Sequence, residues 1–186
     1  KIKSIARSIC QRKEEGNDIV VVVSAMGQTT DELNNLAKSI SKNPNHRELD
    51  MLLSTGEQVT IALLSMSLNE IGIPAISMTG SQLGIVTESI HGKARILDIK
   101  TKRIKNYIDQ GYVVVVAGFQ GATLSHTGLM EITTLGRGGS DTSAVALSTA
   151  LGAESCEIYT DVPGVLTTDP RIVPKAKLLH EISCEE

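Results

Sequence analysis

The sequence predicts an α/β fold: a three-layer α/β/α sandwich around a mainly parallel central sheet. Two runs, Ile19 to Val23 and Tyr112 to Ala117, are continuously apolar and rich in β-branched residues. That is the pattern of strands covered on both faces. Helix-patterned segments alternate with such runs along the chain, as parallel strands require. The length, 186 residues, suffices for one domain with a real core.

The elements follow in order. Ile2, Ile5, Ala6 and Ile9 share one helical stripe, and Gly16-Asn17-Asp18 turns the chain into the first apolar strand. Thr29 and Glu32 have the spacing of a capping box ahead of the stripe Leu33, Leu36, Ala37 and Ile40. A long helical segment is expected from Glu48 to Ile71, ended by Gly72-Ile73-Pro74. Ala75 to Met78 reads as the next strand. Leu83 to Leu97 reads as short β-like pieces around a polar loop at His91-Gly92-Lys93. Thr101 to Gln110 is helical, with Gly111 as its stop before the second apolar strand. Residues 122 to 130, with Ser125, His126 and Gly128, read as a flexible flap. Residues 141 to 151 form a helix with Gly152 beyond it, and Glu157 to Thr160 reads as another strand. No internal repeat or interdomain linker interrupts this order.

Composition narrows the function. Aromatic residues make up 2% of the chain, too few for a series of nucleobase-stacking platforms. The net charge is −3 without a dense Lys/Arg run, which argues against a nucleic-acid surface. Cys10, Cys156 and Cys184, like His46, His91, His126 and His180, are scattered and match no zinc or disulfide spacing. A reduced, cytoplasmic setting is the expectation. No signal peptide or membrane span is expected, since the apolar runs fall short of ~20 residues.

Ligands in such sheets sit beyond the carboxyl ends of the strands. The run Thr134-Leu-Gly-Arg-Gly-Gly-Ser-Asp-Thr-Ser-Ala144 joins a glycine-rich loop, Arg137 and a Ser140-Asp141 pair to the start of a helix. Glycines admit close backbone approach. Helix N-terminal N–H groups attract anions, and a guanidinium fork suits a carboxylate or phosphate. A small anionic ligand is expected there.

Other loops have ordinary structural explanations when read alone. Ser24 to Thr30 can be a capped turn. Phe119, the only phenylalanine, can line a pocket or sit in a core between Gly118 and Gly121. Glu57, after Gly56 in an apolar helix, can hold an amino group, yet alone it reads as a solvated position. In Thr160 to Arg171, Pro163-Gly164 and Asp169-Pro170 force turns. Asp161 can accept from a ribose or adenine and Arg171 can reach a phosphate, or the segment is only a connection. No Gly-x-x-x-x-Gly-Lys-Ser/Thr loop and no Gly-x-Ser-x-Gly elbow occurs.

Taken together, Ser24 to Leu33 (SAMGQTTDEL), Thr134 to Ala144 (TLGRGGSDTSA) and Thr160 to Arg171 (TDVPGVLTTDPR) resemble the catalytic domain of the aspartate kinases, in the amino-acid kinase superfamily. The resemblance implies the amino-acid kinase-like fold and ATP-dependent phosphorylation of the side-chain carboxylate of L-aspartate. The product would be 4-phospho-L-aspartate, the first step towards lysine, threonine and methionine. Carried over by motif, Thr30, Glu57, Phe119, Arg137, Ser140 and Asp141 would surround aspartate, with Arg137 and Asp141 catalytic. Ser24, Thr160, Asp161, Leu166 and Arg171 would lie near ATP. Leu166 departs from the aromatic residue usual in the family. The implied cofactor is ATP with Mg2+ held mainly by the phosphates, so no residue is assigned to a metal. The implied partners are aspartate and ATP, without nucleic acid or membrane, and members are commonly homodimers.

Family members begin with a strand and a Lys-Phe-Gly-Gly-Thr-Ser-like loop, whereas this sequence starts at Lys1, inside the helix that follows. It stops at Glu186, before a second lysine-bearing segment and the regulatory ACT domains. The expectation is an incomplete catalytic domain over residues 1–186, weak or inactive alone, because losing one charge-stabilising donor costs ~3 kcal/mol. The alternative is a non-catalytic aspartate- or nucleotide-binding or assembly module.

Overall fold

The computed structural model describes residues 1–160 and 164–183. They divide into two compact units, Lys1–Cys156 and a small one from Glu157 onward.

The first unit opens with α1 (Ile2–Glu14), whose buried residues are Ala6 and Ile9, and continues into β1 (Val20–Val23). Next come α2 (Thr29–Ile40), α3 (His46–Leu53) and α4 (Thr55–Glu70). β2 (Ala75–Met78), α5 (Gly80–Leu83), β3 (Ile85–Thr87) and β4 (Ile96–Ile99) follow. α6 (Lys102–Asp109) leads to β5 (Val113–Ala117). The unit closes with β6 (Gln120–Leu124), β7 (Met130–Thr134) and α7 (Gly139–Leu151).

β5 is the axis of the fold. It pairs in parallel with β1 on one side and β2 on the other, giving the order β1-β5-β2. Alternation along β5 builds two cores. Val113, Val115 and Ala117 pack with Ala6 and Ile9 of α1 and Ile61, Leu64 and Leu68 of α4. Val114 and Val116 point the other way, to Ile104 of α6 and Leu147 of α7. Helices therefore cover both faces of an all-apolar strand, which is why these runs carry no polar face. The α/β sandwich expected from the sequence is present. A second sheet, β4-β3-β6-β7, is mixed: β3 pairs in parallel with β6, while β3–β4 and β6–β7 are antiparallel.

Several local expectations are corrected. The segment 48–71 is two helices that meet at Ser54, whose hydroxyl donates to the Met51 carbonyl at 2.8 Å. His46–Glu70 matches a bilayer-crossing segment by length and composition, yet half of its apolar window is buried within the fold. Its residues Ile61, Leu64 and Leu68 are core.

The Thr29–Glu32 box does not form, because α2 already begins at Thr29, whose hydroxyl donates to the Met26 carbonyl at 2.7 Å. A capping box occurs instead at Thr79 and Gln82. Residues 122–130 are not a flap. They belong to the β6–β7 hairpin, paired in register from Gln120–Thr134 to Leu124–Met130. Its turn is closed by Ser125 N–H to the Leu129 carbonyl and the reciprocal Leu129 N–H to Ser125 Oγ.

Residues 157–160 form no strand, and Ile158 and Tyr159, which the pattern would bury, are exposed. In the second unit, Leu166 and Leu178 make an antiparallel bridge. Thr167 N–H to Lys177 O and Leu179 N–H to Val165 O flank it.

Candidate active site

Three loops leave the carboxyl ends of the parallel strands and of the hairpin, and they converge. After β1, Ser24 and Ala25 lead to the first turn of α2. After β5, the chain passes through Gly118 and Phe119. After β7, Leu135 to Gly138 run into α7. Around a cavity of about 240 Å³ these loops and α4 bring together Ser24, Ala25, Thr30, Glu57, Phe119, Arg137, Ser140 and Asp141, with Gly136, Gly138 and Gly139 between them. All six residues expected to surround aspartate line this one cavity, as does Ser24.

Backbone geometry explains the glycines and the phenylalanine. Gly136 and Gly138 adopt φ of 83° and 73°, the left-handed region that costs glycine little. Gly118 lets the strand end approach α7: a Cβ there would stand 2.9 Å from Ser140 Cβ and 3.0 Å from its Cα. Phe119 is the one non-glycine residue at positive φ, 66°, among those described. Its N–H donates to Ser143 Oγ at 3.1 Å and its carbonyl accepts from Leu135 N–H at 2.9 Å. Two partners thus hold a conformation that costs ~1–3 kcal/mol.

Glu57 corrects the solvated reading. It is 3% exposed, because Gly56 lets α4 pack against the β1–α2 loop; a Gly56 Cβ would meet Ala25 Cβ at 2.9 Å. Its Oε1 accepts from Ala25 N–H at 3.0 Å, while Oε2 is buried and without a hydrogen-bond partner among the described residues. Burial pushes its pKa above the ordinary carboxylate value, and the Ala25 bond offsets this only in part.

Arg137 is exposed and lines the same cavity, and no carboxylate pairs with it among the described residues. Asp141 lies in the first turn of α7, whose N-cap is Gly138. The cavity is therefore lined by a guanidinium with no carboxylate partner among the described residues, by a helix N-terminus and by a buried glutamate whose Oε2 has no partner among them. It can take a molecule bearing both an anionic and a cationic group.

The nucleotide-side expectations fall mostly in the second unit. Thr160 is exposed there and Leu166 is half-buried in its bridge to Leu178. Arg171 is exposed, with Nη2 2.8 Å from Asp169 Oδ2, and this pair holds the Asp169 pKa below its ordinary value. Asp161 lies outside the described residues.

Sequence reasoning missed Asp50. It is 1% exposed and accepts from His91 Nδ1, Gly92 N–H, Thr134 N–H and Thr134 Oγ1. It lines a second cavity, of about 660 Å³, which also touches Phe119. On the α3 pattern it is one more acidic residue; its partners lie 41 to 84 positions away.

The sequence matches the amino acid kinase family over residues 1–186. The chain belongs to that family. Within it, the chain is aspartate-kinase-like. It is 62% identical over all 186 residues to an aspartokinase of Geobacillus stearothermophilus, covering 45% of that protein. It is 59% identical, again over its full length, to aspartokinase 2 of Bacillus subtilis strain 168, covering 45% of it. Among solved structures, the aspartate kinase from Synechocystis superposes with a TM-score of 0.81 at 60% identity, over 99% of this chain and 30% of that one. Escherichia coli aspartokinase III, in complex with aspartate and ADP, gives 0.67 at 30% identity, over 82% of this chain and 34% of that one. The chain thus spans less than half the length of the curated relatives it matches.

Proposed function

We propose that the protein phosphorylates the side-chain carboxylate of L-aspartate with ATP, and that the cavity around Arg137 and Glu57 holds the amino acid. One observation carries this reading: Glu57, whose Oε2 is buried without a hydrogen-bond partner among the described residues, lines the same cavity as Arg137, which pairs with no carboxylate among them. Aspartate fits that pair. Arg137 grips one carboxylate with two parallel N–H bonds, and Glu57 Oε2 receives the ammonium. Binding an ammonium favours the ionised carboxylate, which offsets the cost of burial at Glu57. Thr30 and Ser140 supply further polar contacts, Phe119 forms a wall, and Asp141 stands beside the ammonium.

The second carboxylate is then free to attack. Its oxygen forms a bond to the γ-phosphorus of ATP as the bond from that phosphorus to the β,γ-bridging oxygen breaks, giving 4-phospho-L-aspartate and ADP. A carboxylate is already ionised near neutral pH, so no strong base is needed. The work left to the protein is alignment and compensation of charge. Arg137 and the N–H groups of the first α7 turn supply positive potential on the substrate side. The resemblance assigns Ser24, Thr160, Asp161, Leu166 and Arg171 to the nucleotide.

Among the described residues, no group of three or more His, Cys, Asp or Glu could hold a metal ion. Magnesium would enter with the nucleotide phosphates and keep its waters. When bound it neutralises phosphate charge.

A cytoplasmic, homodimeric enzyme in amino-acid biosynthesis completes the reading. Calorimetry with L-aspartate and with a non-hydrolysable ATP analogue tests it, together with aspartate-dependent ADP release. Aspartate binding that disappears in Arg137→Ala while the analogue still binds is the expected result. No aspartate binding at millimolar concentration, or equal affinity in the variant, overturns it.

A further inference from the structure

Arg137 sits on a glycine-rich loop, and glycine-rich loops wander unless something ties them down. The ties converge on one side chain outside the cavity. Asp50, in α3, uses both carboxylate oxygens. Oδ1 accepts from Thr134 Oγ1 at 2.6 Å and from Gly92 N–H at 3.1 Å. Oδ2 accepts from His91 Nδ1 at 2.8 Å, Gly92 N–H at 3.1 Å and Thr134 N–H at 3.2 Å.

Thr134 is the last residue of β7 and opens the loop; Asp50 and Thr134 are each 1% exposed. The Thr134 carbonyl accepts from Ala94 N–H at 2.9 Å, so every polar atom of Thr134 is engaged. Gly92 closes the other side. Its carbonyl would stand 3.3 Å from a Cβ at Gly136, so the His91–Gly92 turn backs directly onto the residue before Arg137.

We propose that Asp50 is the positioning residue of the arginine loop. One buried carboxylate ties the start of the loop, Thr134, to the turn that supports its middle, Gly92, and thereby sets where the Arg137 guanidinium stands. The proposal rests on the reading that Arg137 clamps the amino-acid substrate. Asp50 itself touches no substrate. It acts because a carboxylate offers about four acceptor sites, which a cluster made only of donors requires. An asparagine of the same shape presents NH2 to donors on one side and cannot satisfy them.

The test is Asp50→Asn in the chain as it stands, with two readouts. The first is amide hydrogen exchange at Ala94, Leu135 and Gly139. Each of these donates to a backbone carbonyl, Thr134, Phe119 and Gly136 respectively, and none touches Asp50. Exchange there should quicken by about tenfold or more beyond any change at the β5 amides, which report global unfolding. The second is calorimetry. Affinity for L-aspartate should fall by about tenfold or more, as a displaced clamp predicts, with the ATP analogue within about twofold.

Unchanged exchange at the three amides overturns the proposal. So does equal acceleration throughout β5, which would mark general destabilisation. So does unaltered aspartate affinity in a variant whose wild type binds. If Asp50→Asn does not fold, Thr134→Val carries the same test, since it deletes the 2.6 Å bond and keeps the Thr134 N–H bond; the same local quickening is expected, and its absence is equally fatal. A wild type that binds no aspartate sinks the substrate reading instead, and the exchange experiment still decides whether Asp50 holds the loop.

Discussion

Asp50 and Glu57 are buried carboxylates on the adjoining helices α3 and α4, and they are wired in opposite ways. Asp50 has donors on both oxygens. Glu57 has one oxygen on Ala25 N–H and the other buried without a partner. A buried carboxylate that is fully bonded is a piece of framework. One that is half-bonded is a destabilising group whose retention needs a reason, and a ligand with a cation is such a reason. Each prediction below can break that contrast.

The largest effect is expected at Asp50. Replacing it by alanine leaves the buried donors of Thr134, and those of Gly92 and His91 beside them, without their shared acceptor. That should cost about 3 kcal/mol or more of unfolding free energy. Chemical denaturation measures it, and a loss below about 1 kcal/mol would mean water replaces the carboxylate at no great cost.

Arg137→Ala comes next and separates framework from site. Arg137 is exposed and bonds no carboxylate among the described residues, so stability should hardly move. Aspartate affinity should fall about 100-fold, the scale of losing a charge-assisted contact to a substrate. An Arg137→Ala protein that loses stability but keeps its affinity would invert the contrast.

A smaller effect is expected from the joint between the two strand ends and α7. Gly118→Ala would push its Cβ to within 2.9 Å of Ser140 Cβ and 3.0 Å of Ser140 Cα. Overpacking of this kind costs about 1–3 kcal/mol. Because the neighbour that must give way is the first turn of α7, aspartate binding should weaken too. Wild-type melting temperature and affinity in Gly118→Ala would show that the turn can yield freely.

How far each region could be read beforehand follows the same division. β1, β2, β5 and α7 were legible because continuous apolar runs and a glycine-to-helix junction are local signals. The six residues that the resemblance assigns to aspartate lie around one cavity. The framework was not legible. Asp50 finds its partners through loops 41 to 84 positions away, and a lone acidic residue on a helix gives no hint of that. The β6–β7 hairpin was hidden because Gln120, Thr123, Thr133 and Thr134 are polar residues that the fold buries. Thr87 and Thr133, for example, pair hydroxyl to hydroxyl at 2.5 Å. The break at Ser54 had only Gly56, two residues on, to announce it, and an isolated glycine is tolerated inside a helical pattern. Glu57 looked solvated because its burial depends on Gly56 meeting Ala25, a contact between elements.

The smallest effect has the opposite sign, and for that reason it sharpens the contrast most. Burial raises the Glu57 pKa above its unfolded value. Between those two values the native state binds the proton more tightly than the unfolded state. Unfolding free energy therefore falls as pH rises through that window, and stays at the lower level above it. Glutamine cannot ionise. Glu57→Gln should match wild type at pH values where the carboxyl is protonated in both states, and should exceed it by about 1 kcal/mol near neutral pH. The same variant should bind aspartate more weakly, because an amide cannot pair the ammonium. Stability and binding would then move in opposite directions at a single atom, as they do where a fold keeps a costly group for its ligand. Denaturation curves for wild type and Glu57→Gln that stay parallel from pH 4 to pH 8 would show that Oε2 is solvated after all, and with it would go the claim that this oxygen waits for a cation.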